Sequence, residues 1–291
     1  MRHVFPDDPS AKEVRMPITV RDMETRDEPE FCRCLESWSE EMKESGDHKA
    51  RWIEKMKSEG LGVKIAVDDD GGYAGMIQYY PSRFAPLEEP EDGLWFIHCT
   101  WVHGYKKGQG NYQKRGIGKS LLAAAEEDVR ARGGRAVAAW GITLPFWMRS
   151  AWYKKHGYLP TDKDGGRELV VKSLDGENHS ASWLKPGKTP PSRLDDGRTA
   201  LTAFVSGACP SAGIACERLR EAAAEAALPV EVIDSSDPAN LTEWGRSDVL
   251  FIGSRKVEIG PPPSKAKLGR ILSREARKAG RYDRKSAAPR T

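Results

Sequence analysis

GNYQKRGIGKSLLAAAEEDVRARGG, residues 110–134, joins two kinds of sequence. Its left part has glycine at 110, 116 and 118 and basic side chains at 114, 115 and 119, and its right part is an unbroken run of good helix formers. A helix start presents unpaired backbone N–H groups and the positive end of the helix dipole, so it favours an anion. Glycines let the backbone approach that anion closely. Taken alone, the stretch reads equally as a helix cap after a surface loop.

The chain has 291 residues, a length that suggests two domains. Hydrophobic residues make up 38% and charged residues 31%, and the net charge is only +3. That balance points to a soluble protein and away from nucleic acid or membrane as the main partner. The longest apolar runs, such as Leu121 to Ala125, are too short to span a bilayer. The N-terminal MRHVFPDDPSAKEVRM lacks the apolar core of a secretory signal. Cys32, Cys34, Cys99, Cys209 and Cys216 form no disulfide-scaffold spacing, so reduced thiols and a cytoplasmic location are expected.

Composition divides the chain into an extension (1–16), a first domain (17–174), a polar, proline-bearing linker (175–197), a second domain (198–280) and a basic tail (281–291). The first domain reads as mixed α/β. A strand PITVRDM is followed by one or two helices that end at Gly60. Two strands then flank an Asp-Gly-Gly turn, and the central strand is LWFIHCTWVHG. After the glycine loop and its helix come the strand RAVAAWGI, the helix FWMRSAWYKKHG and a final strand RELVVKSL. The second domain reads β, α, β, β, α, helices on one mixed sheet.

In this context the loop lies after a central strand and opens a long helix. It is not a P-loop, because Gln113 stands where that frame needs glycine, and the dinucleotide fingerprint lacks its third glycine at 121. Gln113-Lys114-Arg115-Gly116-Ile117-Gly118 resembles the Q/R-x-x-G-x-G/A loop of the GNAT superfamily of acyl-CoA-dependent N-acyltransferases. Trp152-Tyr153-Lys154-Lys155-His156-Gly157-Tyr158 is similar to that family's later aromatic-Tyr-x-K-x-G-aromatic run, and the strand order agrees over residues 17–174. The resemblance implies a GNAT fold and acetyl-CoA as co-substrate. It implies that the loop, with Lys119 and Ser120, holds the pyrophosphate, and that an amine is the acceptor. Two departures stand out: HGYKKGQGNY lengthens the connection before the loop, and Phe146 occupies the position of a frequent asparagine.

The resemblance also implies that the thioester arm pairs with strand backbone at Cys99, Trp101 and Val102, and that Tyr153 protonates the leaving thiolate. An aromatic packed at a helix end is the structural alternative for Tyr153. With period two, Phe96, His98, Thr100 and Val102 share one face of the central strand, and Cys99 and Trp101 the other. By analogy with acidic residues of relatives, the first face looks into the cleft. His98 is then the candidate base and His103 the runner-up, against a histidine satisfied within the sheet. The acceptor pocket is expected between the N-terminal helices and PSRFAPLEEPEDG, whose Glu88, Glu89, Glu91 and Asp92 would attract a cationic amine or simply be solvated.

Cys209-Pro210, between a strand and a helix, resembles the active-site corner of thioredoxin-like domains, and a helix start lowers a thiol's pKa. Cys209 should therefore be more reactive than Cys216. Yet Ala212 stands at the second cysteine of C-x-x-C, and WGRSDVLFIG lacks the proline expected before the third strand. Binding or homodimerisation is the expected role rather than redox chemistry. Cys32 and Cys34, two apart in a helix, point away from each other, and no resident metal is expected. The alternative function is a thiol- or metal-handling protein that uses the GNAT domain as scaffold.

Overall fold

Runs rich in β-branched and aromatic residues become the strands of two sheets in the computed structural model, which describes residues 17–144 and 148–286. The extension 1–16, Phe146 and residues 287–291 lie outside the described residues. In chain order come β1 (Ile18–Asp22), α1 (Glu28–Cys32), α2 (Glu40–Lys43), α3 (His48–Lys57), β2 (Gly62–Asp68), β3 (Tyr73–Pro81), β4 (Leu87–Glu88) and β5 (Leu94–Val102). Then follow α4 (Ile117–Ala131), β6 (Ala136–Ile142), α5 (Ser150–Lys154), β7 (Leu159–Asp164), β8 (Arg167–Ser173) and β9 (Ser182–Trp183). The remaining elements are β10 (Leu201–Val205), α6 (Pro210–Ala224), β11 (Glu231–Asp234), α7 (Pro238–Trp244), β12 (Val249–Ile252), β13 (Arg255–Glu258) and α8 (Lys265–Ser286).

The first sheet has the order β1-β2-β3-β5-β6-β8-β7. Only β5 and β6 are parallel neighbours, joined by the right-sized crossover that α4 provides. The β2–β3 turn forms because the Asp68 carboxylate accepts the Gly72 N–H at 2.6 Å, a side-chain bond that tightens the loop. One face packs Leu121, Leu122, Ala125 and Val129 of α4 with Ile77, Ile97, Val137 and Ala139. The other face packs Phe31, Trp52, Ile53 and Met56 of α1 and α3 with Ile65, Met76, Phe96 and Leu169. The region expected as one or two helices holds three, because Cys34 (φ 52) and Leu35 (φ 60) leave the helical conformation.

The second sheet has the order β11-β10-β12-β13. β10 and β11 are parallel across α6, while β12 and β13 are antiparallel. Helices α6 and α8 cover one face, and Trp244 of α7 packs on Phe204 and Phe251 of the other. Helix α7 was not expected. Its signals are local: Asp237 accepts the Ala239 N–H at 2.9 Å, Pro238 occupies the first turn, and Gly245 (φ 59) ends it. The basic tail is not separate from Arg281, since α8 runs to Ser286. The linker is also more ordered than its composition suggested. β9 pairs with β4, and His179 bridges Asp175 and Glu91. No helix among the described residues is long and apolar enough to cross a membrane.

The two sheets are joined by α6 lying on α2 and α3. Arg218 holds Glu41 at 2.9 Å and Glu44 at 2.7 Å, His48 meets Glu217 at 2.7 Å, and Lys55 meets Asp234 at 2.9 Å. The approach depends on Gly213, where an added Cβ would lie 2.3 Å from the Ser45 carbonyl oxygen. Gly213→Val should therefore lower stability by about 1–3 kcal/mol, an overpacking cost that outweighs any gain in helix propensity. Gly269 in α8 has open space around it, and Gly269→Ala should raise stability by about 0.5–1 kcal/mol. Chemical denaturation of both variants checks the pair; equal effects would refute the tight seam at Gly213.

Candidate active site

β5 contains one residue more than β3 across from it. Gln78 pairs with Cys99, and the next residue, Tyr79, pairs with Ile97, so His98 is the extra residue of a bulge. The bulge reverses the side-chain alternation, which corrects the period-two expectation. Phe96, Cys99 and Trp101 all pack on the α1–α3 side, where the His98 ring lies against Phe96 and Tyr80. Val102 packs on the α4–α5 side, and Thr100 there meets the Tyr153 hydroxyl at 3.0 Å.

The same stretch ends the parallel pairing. β5 and β6 are partnered only from Leu94 to Ile97 and from Ala136 to Ala139. Beyond that point the Trp140 indole N–H donates to the His98 carbonyl at 2.8 Å, and the end of β6 turns to Arg149 instead. The β6-facing backbone edge of residues 98–102, which includes Cys99, Trp101 and Val102, is thus available for an extended ligand.

The loop before α4 is held from behind. Asn111 bridges Gly104, and the His103 ring donates from Nδ1 to the Gly110 carbonyl at 2.5 Å while its Nε2 accepts from Trp38 at 3.2 Å. His103 is fully buried with both nitrogens engaged, which fits an anchor of the inserted loop rather than a base. Gly116 adopts φ 82 and caps α4, a conformation that a side chain would strain. Gln113, Lys114, Gly116, Lys119 and Ser120 are exposed, Gly118 is partly exposed, Arg115 lies 5.3 Å over the Tyr112 ring, and Ile117 is the buried anchor. The first N–H groups of this 15-residue helix therefore meet solvent beside positive charge. An added Cβ at Gly118 would lie 3.2 Å from Trp152 and 3.8 Å from Val102, so the helix start, the end of β5 and α5 converge.

Tyr153 is 1% exposed, and its ring lies against Trp152 and Tyr158. Burial pushes its hydroxyl far above the usual tyrosine value, so it carries a proton at neutral pH. His98 Nδ1 lies 2.9 Å from the Tyr80 hydroxyl. Burial, aided by the Lys49 charge, pushes the imidazole down to about 3. It is neutral at pH 7 and a weak base.

The acidic loop lies elsewhere. It precedes β5, at the end of the strand away from the opening. Glu91 is engaged by Arg135 at 2.7 Å and by His179, and Glu88 by Lys185 at 3.1 Å. These carboxylates hold the 175–197 segment to the first sheet instead of lining an acceptor pocket.

The thiols are corrected as well. α1 ends at Cys32, so helical spacing does not separate Cys32 from Cys34. Cys34 turns inward, its Sγ 3.9 Å from Lys49 Nζ. Cys209 caps α6, but burial and the nearby Asp248 push its thiol up, not down. Cys216 is fully buried and pushed up to about 11. His48, Cys216 and Glu217 place their ligand atoms within 4.8 Å of one another, a group able to hold a metal ion that sequence spacing did not reveal. Sequence reading also missed Lys49 and Gln78, which a position in a helix or strand does not mark as functional.

Residues 19–158 match the model of the acetyltransferase (GNAT) family, and this segment is an acetyltransferase domain of that kind. No curated protein matches the chain with significance. Among solved structures, a GNAT family N-acetyltransferase from Escherichia coli in complex with CoA is 16% identical over 62% of this chain and 93% of its own, with a TM-score of 0.41. The PaiA N-acetyltransferase from Thermoplasma acidophilum in complex with coenzyme A is 20% identical over 55% of this chain and 100% of its own, with a TM-score of 0.40.

Proposed function

We propose that the protein transfers an acyl group, in the simplest case acetyl from acetyl-CoA, to the amine of a small molecule or peptide. The observation that carries this reading is the convergence of three features: the exposed start of α4, the unpaired edge of β5 after Ile97, and the Tyr153–Thr100 contact between them. The pyrophosphate would lie on the N–H groups of residues 113–120, and the pantetheine arm along Cys99, Trp101 and Val102. The amine nitrogen attacks the thioester carbonyl carbon, the carbonyl oxygen takes the negative charge, and a strand N–H stabilises it. The C–S bond then breaks, and Tyr153 gives its proton to the CoA sulfur. His98, neutral and hydrogen-bonded to Tyr80, is the proposed acceptor of the amine proton. As a weak base it suits the positively charged intermediate, whose N–H is far more acidic than that of the free ammonium ion.

The division into a GNAT domain (17–174) and a second domain (198–280) belongs to the same proposal. The order β11-β10-β12-β13, with a parallel first pair and an antiparallel second, supports a thioredoxin-like reading of the second domain. Ala212 is buried where a resolving cysteine would stand, and the Asp248 carboxylate before β12 accepts from Ser206 N–H at 2.8 Å. These features support a binding role, in which the domain closes over the first. Five unpaired cysteines fit a reducing cytoplasm. The His48–Cys216–Glu217 group is the observation that favours the metal-handling alternative, and Zn²⁺ titration by calorimetry tests it: tight binding that His48→Ala abolishes would favour it.

Acetyl-CoA should raise the melting temperature, because a ligand that binds only the folded state stabilises it. Gly118→Asp should abolish that shift, since it sets a side chain against Trp152 and a negative charge where phosphate approaches. An unchanged shift would refute the assigned loop.

Tyr153→Phe should lower kcat by about 10²–10⁴-fold with acetyl-CoA affinity nearly intact, because it removes the proton and keeps the ring. Steady-state kinetics with calorimetry separates the two effects, and wild-type turnover would return Tyr153 to a packing role.

Iodoacetamide at pH 7 should label neither Cys209 nor Cys216 readily in the folded protein, since both thiols are held protonated. Labelling of Cys216 should keep rising with pH toward about 11. Rapid labelling of Cys209 at pH 7, read by mass spectrometry, would contradict the buried corner.

A further inference from the structure

Lys49 is 3% exposed, and its ammonium group has no carboxylate within 4 Å among the described residues. Its neighbours are the Phe31 ring, 3.8 Å from Nζ to the centroid, and the Cys34 sulfur at 3.9 Å. Burial holds the Cys34 thiol up at about 12, so this sulfur is neutral and supplies no counter-charge. A buried ammonium without an anion is costly, so an anion brought to it would relieve that cost.

A second observation points to the same place. Gln78 is fully buried, and its side-chain N–H donates to the Ala208 carbonyl of the second sheet's β10–α6 corner at 3.4 Å. Its Oε1 accepts nothing, and the nearby Trp101 Nε1 donates to nothing. Gln78 stands opposite Cys99 at the bulge, so this orphaned acceptor sits beside the strand segment where the thioester is proposed to lie. Phe31 and Cys34, which Lys49 touches, belong to the same apolar cluster as Ala208 and Cys99, which flank Gln78, so the cation and the acceptor border one cluster. Asp248, the acidic group on the second-sheet side, already accepts from Ser206 N–H and Oγ.

Resting on the proposed acyl transfer, we infer that the acceptor is a small amine bearing a carboxylate, an amino acid or a close analogue. Its carboxylate pairs with Lys49, and its amine donates to Gln78 Oε1 on the way to the thioester. The Ala208–Cys209 corner closes the seam above it, which excludes an extended chain. The amine nitrogen forms the new C–N bond and gives one proton to His98, the C–S bond breaks, and sulfur takes the proton of Tyr153. After release of the products His98 loses its proton to water while Tyr153 regains one from it. The products are an N-acylated amino acid and free CoA.

The test uses the full chain, acetyl-CoA and a panel of amino acids paired with their primary amides, with CoA release followed by thiol titration. Acids should exceed their amides by about 10–100-fold in kcat/KM, the worth of a hydrogen bond between charged groups. Lys49→Met should cancel that preference while keeping the acetyl-CoA thermal shift. It should also melt higher than wild type without ligand, because the uncompensated charge is gone. A preferred amino acid alone should raise the melting temperature of wild type but not of Lys49→Met; Lys49→Gln provides the same comparison should Met not fold. Equal rates for acids and amides, or a preference that survives in both variants, would overturn the inference. A missing acetyl-CoA shift would instead overturn the acyl-transfer reading, and the amino-acid shift would still decide the role of Lys49.

Discussion

Between Gln78 and Tyr79 of β3, the neighbouring strand β5 has to fit an extra residue, His98. The strand accommodates it by bending and rotating. Two consequences follow, and the site depends on both. Side chains that would alternate now change sides, so Thr100 reaches Tyr153 while Cys99 and Trp101 enter the opposite core. The bend also carries β5 away from β6 after Ile97, leaving backbone groups that no strand satisfies. Trp140 props the gap by bonding the His98 carbonyl. The bulge thus falls where the parallel pairing stops, and the unpaired edge of β5 begins beside it.

The two ends of the site differ in electrostatic character. At the start of α4 the anion-binding groups are exposed, and Lys114 and Lys119 project into water, which suits a mobile, highly charged ligand. At the proposed acyl end, burial keeps both Tyr153 and His98 uncharged at neutral pH. In the proposed transfer both groups therefore start uncharged, and the buried Lys49 is a cation whose charge acts on His98. In the proposed reaction, charge would bind the substrate and burial would set the state of the chemical groups.

The thiols show how magnitudes decide between opposing effects. A helix start favours an anion by roughly 0.3–1 kcal/mol, less than one pKa unit. Full burial moves a titratable group by up to about 3–5 units the other way. Cys209 stands at a helix start and is only partly exposed, and there desolvation and the Asp248 charge win, beside the close seam at Gly213 and the Arg218 ion pairs that bring the second sheet onto the first.

Much of the architecture was legible from the sequence. Local chemistry marked the glycine loop and its helix, the Asp-Gly-Gly hairpin and the central strand, because each depends on residues adjacent in the chain. The loop and Tyr153 were named as site residues through two short motifs that resemble those of the GNAT family. Helix α7 and strands β7 and β9 escaped because they are short or polar and gain their stability from what they pack against. The bulge at His98 escaped for a different reason: register is a property of two strands, and nothing within LWFIHCTWV says which residue lacks a partner. The states of His98 and Cys209, and the isolation of Lys49, depend on which surfaces the fold removes from water. Sequence alone fixed the chemical groups and their local conformations. Tertiary structure decided which groups are buried together, and burial determines whether a histidine, a thiol or an ammonium ion keeps its ordinary chemistry.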